Sequence, residues 1–196
     1  MRECEKMDKG LWYDANNDEE LLQKREKAEV LCYQFNHTSP NDTLQKKHLL
    51  AQLLPHAHQT VTILSPFYTD YGDHCFIKEK TFINRHAYLM DGGGIHIGSH
   101  CFIGPNCSIY TALHPLDRQQ RDRGYEKALG VVIEDHVWIG GDVTILPGVT
   151  IHEGAVIGAK SLVAKDIPAN TLAFGNPCKP VRLITEKDRC RIEDDE

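Results

Sequence analysis

Apolar positions recur every six residues in the second half of the chain, at Ile133, Ile139, Ile145, Ile151, Ile157 and Val163. A second small or apolar series keeps step at Val137, Val143, Val149, Ala155, Ser161 and Ile167. The same beat appears earlier, at Ile97, Ile103 and Ile109 and at Ile77, Ile83 and Leu89, with turn-tolerant Gly, Asp, Glu and Pro between. Neither a helix, near 3.6 residues per turn, nor an alternating strand sustains such a period. A fixed hexapeptide beat predicts a mainly β solenoid, a parallel β-helix, over residues 59–180. One polar, charged segment interrupts it, the excursion loop 111–130. A long loop inside a compact repeat is usually functional.

Residues 1–58 follow another pattern. Asn17 reads as an N-cap, with Glu20 completing a capping box. Leu21, Leu22, Arg25, Ala28, Leu31, Cys32 and Phe35 then keep a helical period to Asn36-His37-Thr38. Ser39-Pro40-Asn41-Asp42 opens a second helix, with Ser39 as cap and Pro40 in the first turn. Leu44, Leu49, Leu50, Leu53 and Leu54 supply its apolar face. The open end of a β-solenoid exposes strand edges and core, so this helical pair is expected to cap it. Two prolines and a glycine between Gly175 and Pro180 end the regular coils. Residues 181–196 read as a tail whose acidic end, Ile192 to Glu196, is expected to fray.

Composition narrows the class. Net charge is -6 and no Lys/Arg cluster stands out, so the electrostatic footprint of a nucleic-acid binder is missing. No apolar run approaches the ~18 residues of a membrane span, and Met1 to Lys9 lacks the apolar stretch of a signal peptide. A cytoplasmic protein that binds neither membrane nor nucleic acid is expected. The seven cysteines lack a C-x-x-C spacing for metal. Cys75, Cys101 and Cys107 read as reduced, buried small residues of the coils.

Several stretches together resemble the maltose and galactoside O-acetyltransferases, a family of hexapeptide-repeat acyltransferases. They are Gly10-Leu11-Trp12-Tyr13-Asp14, Phe35-Asn36-His37, Asp70-Tyr71-Gly72, Ile103-Gly104-Pro105-Asn106, Tyr110-Thr111-Ala112-Leu113-His114-Pro115-Leu116-Asp117, Val137-Trp138-Ile139-Gly140-Gly141 and Gly175-Asn176-Pro177. The resemblance implies a left-handed coil, a homotrimer with active sites between subunits, and acetyl transfer from acetyl-CoA to a sugar hydroxyl without a metal. By the same resemblance His114 is the general base, a role open to an imidazole near neutral pH, and Asn84 supports the transition state. Asp14, Arg25, Asp70 and either Asp91 or the Gly92 backbone bind the acceptor. Trp138, Gly141, Ala159, Ala164, Lys165, Lys179 and Arg182 bind the cofactor. Three departures matter. Asp70 follows the maltose type where the galactoside type has Ser. Gly92 replaces the galactoside type's second Asp. Lys179 replaces an Arg, losing a bidentate fork. The first two favour a maltose- or glucose-like acceptor.

Other readings remain open at this level. A zinc site of the carbonic-anhydrase type would need three convergent histidines, and Gln119 stands five residues after His114. A serine or amino-sugar acetyltransferase would differ in the N-terminal cap. A non-catalytic scaffold would use the repeats for assembly alone.

Overall fold

A computed structural model describes residues 1–190. From Thr62 onward, short strands pile into three parallel sheets, one sheet per side of a prism of about six turns. On one side Ile77, Ile97, Ile133 and Ile151 lie in register. On the next, Ile63, Ile83, Ile103, Ile139, Ile157 and Ala173 do so. On the third, Leu89, Ile109, Ile145 and Val163 follow. Every one of these side chains is buried. The hexapeptide is therefore one strand plus one corner, and each repeat sends one branched side chain inward and a neighbour outward. Cys75, Cys101 and Cys107 fill inward positions as free thiols, and burial pushes the Cys107 thiol up to about 11.

At the corners, successive coils approach closely. A Cβ on Gly104 would lie 2.5 Å from the Gly140 carbonyl carbon, and one on Gly140 would lie 2.6 Å from the Ala159 nitrogen. Only glycine permits that contact. A second corner turns on left-handed Lys80, His100 and His136, and the last two rings stack at 5.2 Å.

The helical pair closes the first coil as expected, through α2 (Glu19–His37) and α3 (Thr43–Leu53), which follow α1 (Glu3–Asp8). Ala28, Cys32 and Phe35 of α2, with Leu49, Leu53 and Leu54 around α3, join the solenoid core. Asn36 clamps the helix to the coil: its side chain donates to the Phe67 carbonyl at 2.9 Å and accepts from the Phe67 nitrogen at 2.8 Å.

Both caps differ from expectation. Asp18, not Asn17, caps α2 by accepting from the Leu21 nitrogen, because the Asn17 amide is held by Asp14. Glu20 reaches Arg2 instead of closing a capping box. Asp42, not Ser39, caps α3, and Ser39 accepts from the Asn41 nitrogen in the preceding turn. Short α1 had no helical signal beyond its charges, and it packs Cys4 and Met7 into a second apolar cluster with Tyr13, Leu21, Tyr71 and Ala128. At the far end, Lys179–Leu183 folds back antiparallel on Thr171–Phe174, so the segment read as a tail begins inside a strand. Pro180 on that edge lacks a donor and discourages further pairing. Ile192 to Glu196 lie outside the described residues.

Candidate functional site

The excursion loop is a built hairpin. Ala112–Leu113 pairs antiparallel with Tyr125–Ala128, and α4 (Arg118–Asp122) crosses the tip, capped by Asp117. Tyr13–Asp14 pairs along the other edge of Tyr125–Ala128, with Tyr13 opposite Glu126. Leu113 is opposite Lys127, so the next residue, His114, comes level with Glu126. Cross-strand partners share a face, and Tyr13, Glu126 and His114 form a row across the three strands.

His114 Nδ1 lies 3.0 Å from the Tyr125 carbonyl oxygen. A carbonyl only accepts, so Nδ1 carries the proton and Nε2 of the neutral ring is left with its lone pair. Nε2 sits 3.9 Å from Glu126 Oε2, with His114 47 % and Glu126 16 % exposed. The gap is too long for a hydrogen bond, so Nε2 and Oε2 stand side by side as two separate acceptors. The other Glu126 oxygen accepts from the Tyr13 hydroxyl. Tyr13 is fully buried, and burial together with the facing carboxylate pushes its phenol far above the usual range.

Gly92 forms the floor beside this row. A Cβ there would meet the Tyr13 hydroxyl at 3.4 Å, Met7 Sδ at 3.5 Å and the Tyr71 ring at 3.6 Å. Asp70 accepts from the Tyr88 hydroxyl at 2.5 Å. Burial holds its carboxyl above the ordinary aspartate range, with Arg25 near enough to oppose that shift. Arg25 donates to the Ala15 carbonyl, which fixes the guanidinium at the mouth. Asp14 accepts from the Asn16 and Asn17 backbone and from the Asn17 side chain. Burial raises its carboxyl, but these bonds outweigh it and hold the group low. Its first task is thus to bend the chain into α2.

Of the alternatives Asp91 and the Gly92 backbone, the Asp91 side chain is already engaged within the protein. It has no exposed surface, and its oxygens accept from Thr69 Oγ1 and from the Tyr71, Gly72 and His74 nitrogens. It positions the loop that carries Asp70 and Tyr71, while Gly92 lies beside the Tyr13 hydroxyl.

The structure does not bring the remaining residues to this cluster within one chain. Asn84 lies at a corner of the solenoid, where its side chain accepts from the Arg85 nitrogen. Gly141 and Ala159 occupy the same corner on later coils, beside the close-packed Gly104 and Gly140. Ala159 is exposed at that corner, whereas Ala164 and Lys165, also exposed, follow Leu162–Val163 at the next corner, the one from which the excursion loop leaves. Trp138 is 56 % exposed on the adjoining sheet. Lys179 is exposed. Arg182 is already forked onto Asp188 at 2.6 and 2.8 Å, a pairing that lowers the Asp188 carboxyl to about 2; it reaches a phosphate only by releasing that partner. The pattern of the sequence singled out neither Glu126 nor Tyr88, and Tyr13 only as part of a motif. Strand register across the excursion was the signal that could have found Tyr13 and Glu126.

Two family models match the chain. The maltose acetyltransferase hexapeptide capping motif spans residues 6–58, and the bacterial transferase hexapeptide, six repeats, spans residues 130–165. A Staphylococcus aureus (strain Mu50) protein that carries the name of an acetyltransferase is 50 % identical over 94 % of this chain and 92 % of its own. The maltose O-acetyltransferase of Clostridium difficile 630 superposes with a TM-score of 0.92 at 41 % identity, over 95 % of this chain and 99 % of that one. A galactoside acetyltransferase in complex with coenzyme A superposes with a TM-score of 0.89 at 32 % identity, over 99 % and 97 %. Coil and cap together define a hexapeptide-repeat acetyltransferase built on a left-handed parallel β-helix. Within that class the chain belongs to the maltose/galactoside O-acetyltransferase family.

Proposed function

We propose that the protein moves the acetyl group of acetyl-CoA directly to a hydroxyl, the primary 6-hydroxyl, of a maltose- or glucose-like sugar. The observation that carries this reading is His114, with Nδ1 pinned to a backbone carbonyl and Nε2 facing the Glu126 carboxylate. A sugar hydroxyl is a weak nucleophile until a base takes its proton. Nε2 takes that proton as the hydroxyl oxygen attacks the thioester carbonyl. The C–O bond forms, the tetrahedral intermediate collapses, the C–S bond breaks, and the imidazolium returns its proton to the CoA thiolate. No acyl-enzyme is needed. Asp70, Arg25 and Glu126 offer acceptors and a fork of donors, which suits a ligand rich in hydroxyls.

The site is completed by a second copy in a homotrimer, with His114 of one subunit facing the Asn84 corner of the next. Two observations support this. Asn84 lies away from the His114 cluster within one chain. Outward side chains Phe82, Phe102, Trp138, Val156 and Leu172 also form one in-register column on a single sheet, and Phe102 is 57 % exposed. A contiguous apolar column of that kind marks an interaction surface. Along the side-chain-poor corner, the backbone at Gly141 and Ala159 can pair with the amides of pantetheine. Lys165, Lys179 and a released Arg182 can meet phosphates.

Incubation with acetyl-CoA and maltose, glucose, a galactoside or an amino sugar, followed by mass spectrometry, tests the reading. Acetylated neutral sugar is expected, with His114→Ala slower by about 10²–10⁴-fold and acetyl-CoA binding kept. Product on the amino sugar alone would overturn the acceptor assignment, and full activity in His114→Ala would overturn the base.

A further inference from the structure

The row of Tyr13, Glu126 and His114 joins the two arms of the excursion hairpin to a strand from the other end of the chain, and its outer member belongs to the N-terminal cap. We propose that Tyr13 is a positioning residue for acetyl transfer, whose hydroxyl holds Glu126 so that the free carboxylate oxygen faces His114 Nε2 and takes a hydroxyl of the acceptor. This inference rests on the sugar-acetyltransferase reading above.

Geometry carries the argument. Glu126 has two oxygens with different surroundings: Oε1 accepts from Tyr13, and Oε2 lies 3.9 Å from Nε2. A glutamate has three rotatable side-chain torsions, and losing one anchor frees the carboxylate to swing toward solvent or onto the protonated imidazole. With the anchor in place, Oε2 accepts from a sugar hydroxyl neighbouring the one that donates to Nε2. Two adjacent hydroxyls then fix the acceptor at two points, which is how a reacting oxygen is held in an attack geometry. After proton transfer, Oε2 also faces the imidazolium that forms.

The anchor is itself well held. Tyr13 has no exposed surface, and its ring packs with Met7, Leu21, Tyr71 and Ala128. Strand pairing sets it opposite Glu126. Its hydroxyl lies over Gly92, where an added Cβ would touch it at 3.4 Å. A residue serving only to fill this core would need no hydroxyl, because Phe has the same shape. The hydroxyl has one protein partner among the described residues, and that partner is Glu126.

The test is a double-mutant cycle on the full-length protein: wild type, Tyr13→Phe, Glu126→Gln and both together. For each, kcat and KM are measured against the neutral sugar that the wild type acetylates, with acetyl-CoA affinity and melting temperature alongside. Tyr13→Phe is expected to lower kcat/KM for the sugar by about tenfold, the scale of one lost orienting hydrogen bond, with acetyl-CoA affinity unchanged. In the Glu126→Gln background the same change is expected to do nothing further, because Tyr13 acts through Glu126. Losses that multiply, wild-type kinetics in Tyr13→Phe, or an equal loss of acetyl-CoA affinity would each overturn the proposal while leaving sugar acetylation standing. Should Tyr13→Phe fail to fold, Glu126→Asp takes its place: it keeps the charge, retracts the carboxylate from the row, and must give the same acceptor-side loss for the proposal to survive. A wild type that acetylates no sugar overturns the functional reading, and this inference with it.

Discussion

Asp70 shows at the scale of one residue how a buried carboxylate, here one proposed to bind the acceptor, costs stability. Burial raises its carboxyl above the ordinary aspartate value of about 3.9. The native state therefore holds this proton more tightly than the unfolded chain does. The stabilisation is complete below the unfolded value and is lost as pH rises through the folded one, so at pH 7 the ionised carboxylate is a net burden on the fold. Asp70→Asn keeps an acceptor for the Tyr88 hydroxyl and removes the charge. The melting temperature is expected to rise at pH 7, by about 2–4 °C for each kcal/mol recovered in a chain of this size. The gain should narrow as pH falls toward about 4, while sugar acetylation drops. A variant no more stable than wild type at pH 7 would mean that Tyr88 and Arg25 fully offset the burial. His114 and Asp70 could be picked out as candidates in the sequence because motif residues surround them. Glu126 was not, because its motif is a register between strands and not a spacing along the chain. The choice between Asp91 and the Gly92 backbone was not legible for a related reason: a carboxylate engaged by buried donors looks, in sequence, like one that is free.

Among elements, the solenoid strands were the most legible, since an inward Ile every sixth residue has no other explanation. Their two faces should separate cleanly in stability. Ile133 is buried between Ile97 and Ile151, so Ile133→Ala leaves a cavity that its neighbours cannot close and is expected to cost about 2–5 kcal/mol in chemical denaturation. Val132, its outward neighbour, should tolerate Val132→Thr within about 1 kcal/mol. Equal costs at both positions would contradict the inward register. Helices α2 and α3 were legible as helices but not to the residue. Asn17 and Asp18 are both competent caps by chemistry, and Asp14 decided between them by engaging Asn17. Ser39 lost its role to Asp42 in the same local competition. The excursion was legible as an interruption, while its hairpin was not: Ala112–Leu113 and Tyr125–Ala128 are too short to show alternation, and their pairing depends on Tyr13–Asp14 from the other end of the chain.

At the scale of the whole molecule, the division of the site decides what kind of enzyme this is. One chain gathers His114, Glu126, Arg25, Asp70 and Tyr13, and keeps Asn84, Gly141 and Ala159 on another corner. If these halves meet only between subunits of a cyclic trimer, each site takes its base from one subunit and its Asn84 corner from the next. His114→Ala and Asn84→Ala should then each be nearly inactive as homotrimers, yet recover activity when co-expressed. Around a ring of three, any mixture of the two variants has one junction where an intact His114 meets an intact Asn84. Three quarters of randomly assembled trimers are mixed, and each carries one working site of three. Recovery is therefore expected at roughly a quarter of wild-type activity, a figure set by the symmetry alone. Mixing the purified homotrimers without subunit exchange should recover none. Co-expressed variants that stay inactive, in particles shown by light scattering to be mixed trimers, would place both residues in one subunit's site or remove Asn84 from the chemistry. Elution as a monomer would remove the shared site altogether, leaving the outward column from Phe82 to Leu172 in need of another partner.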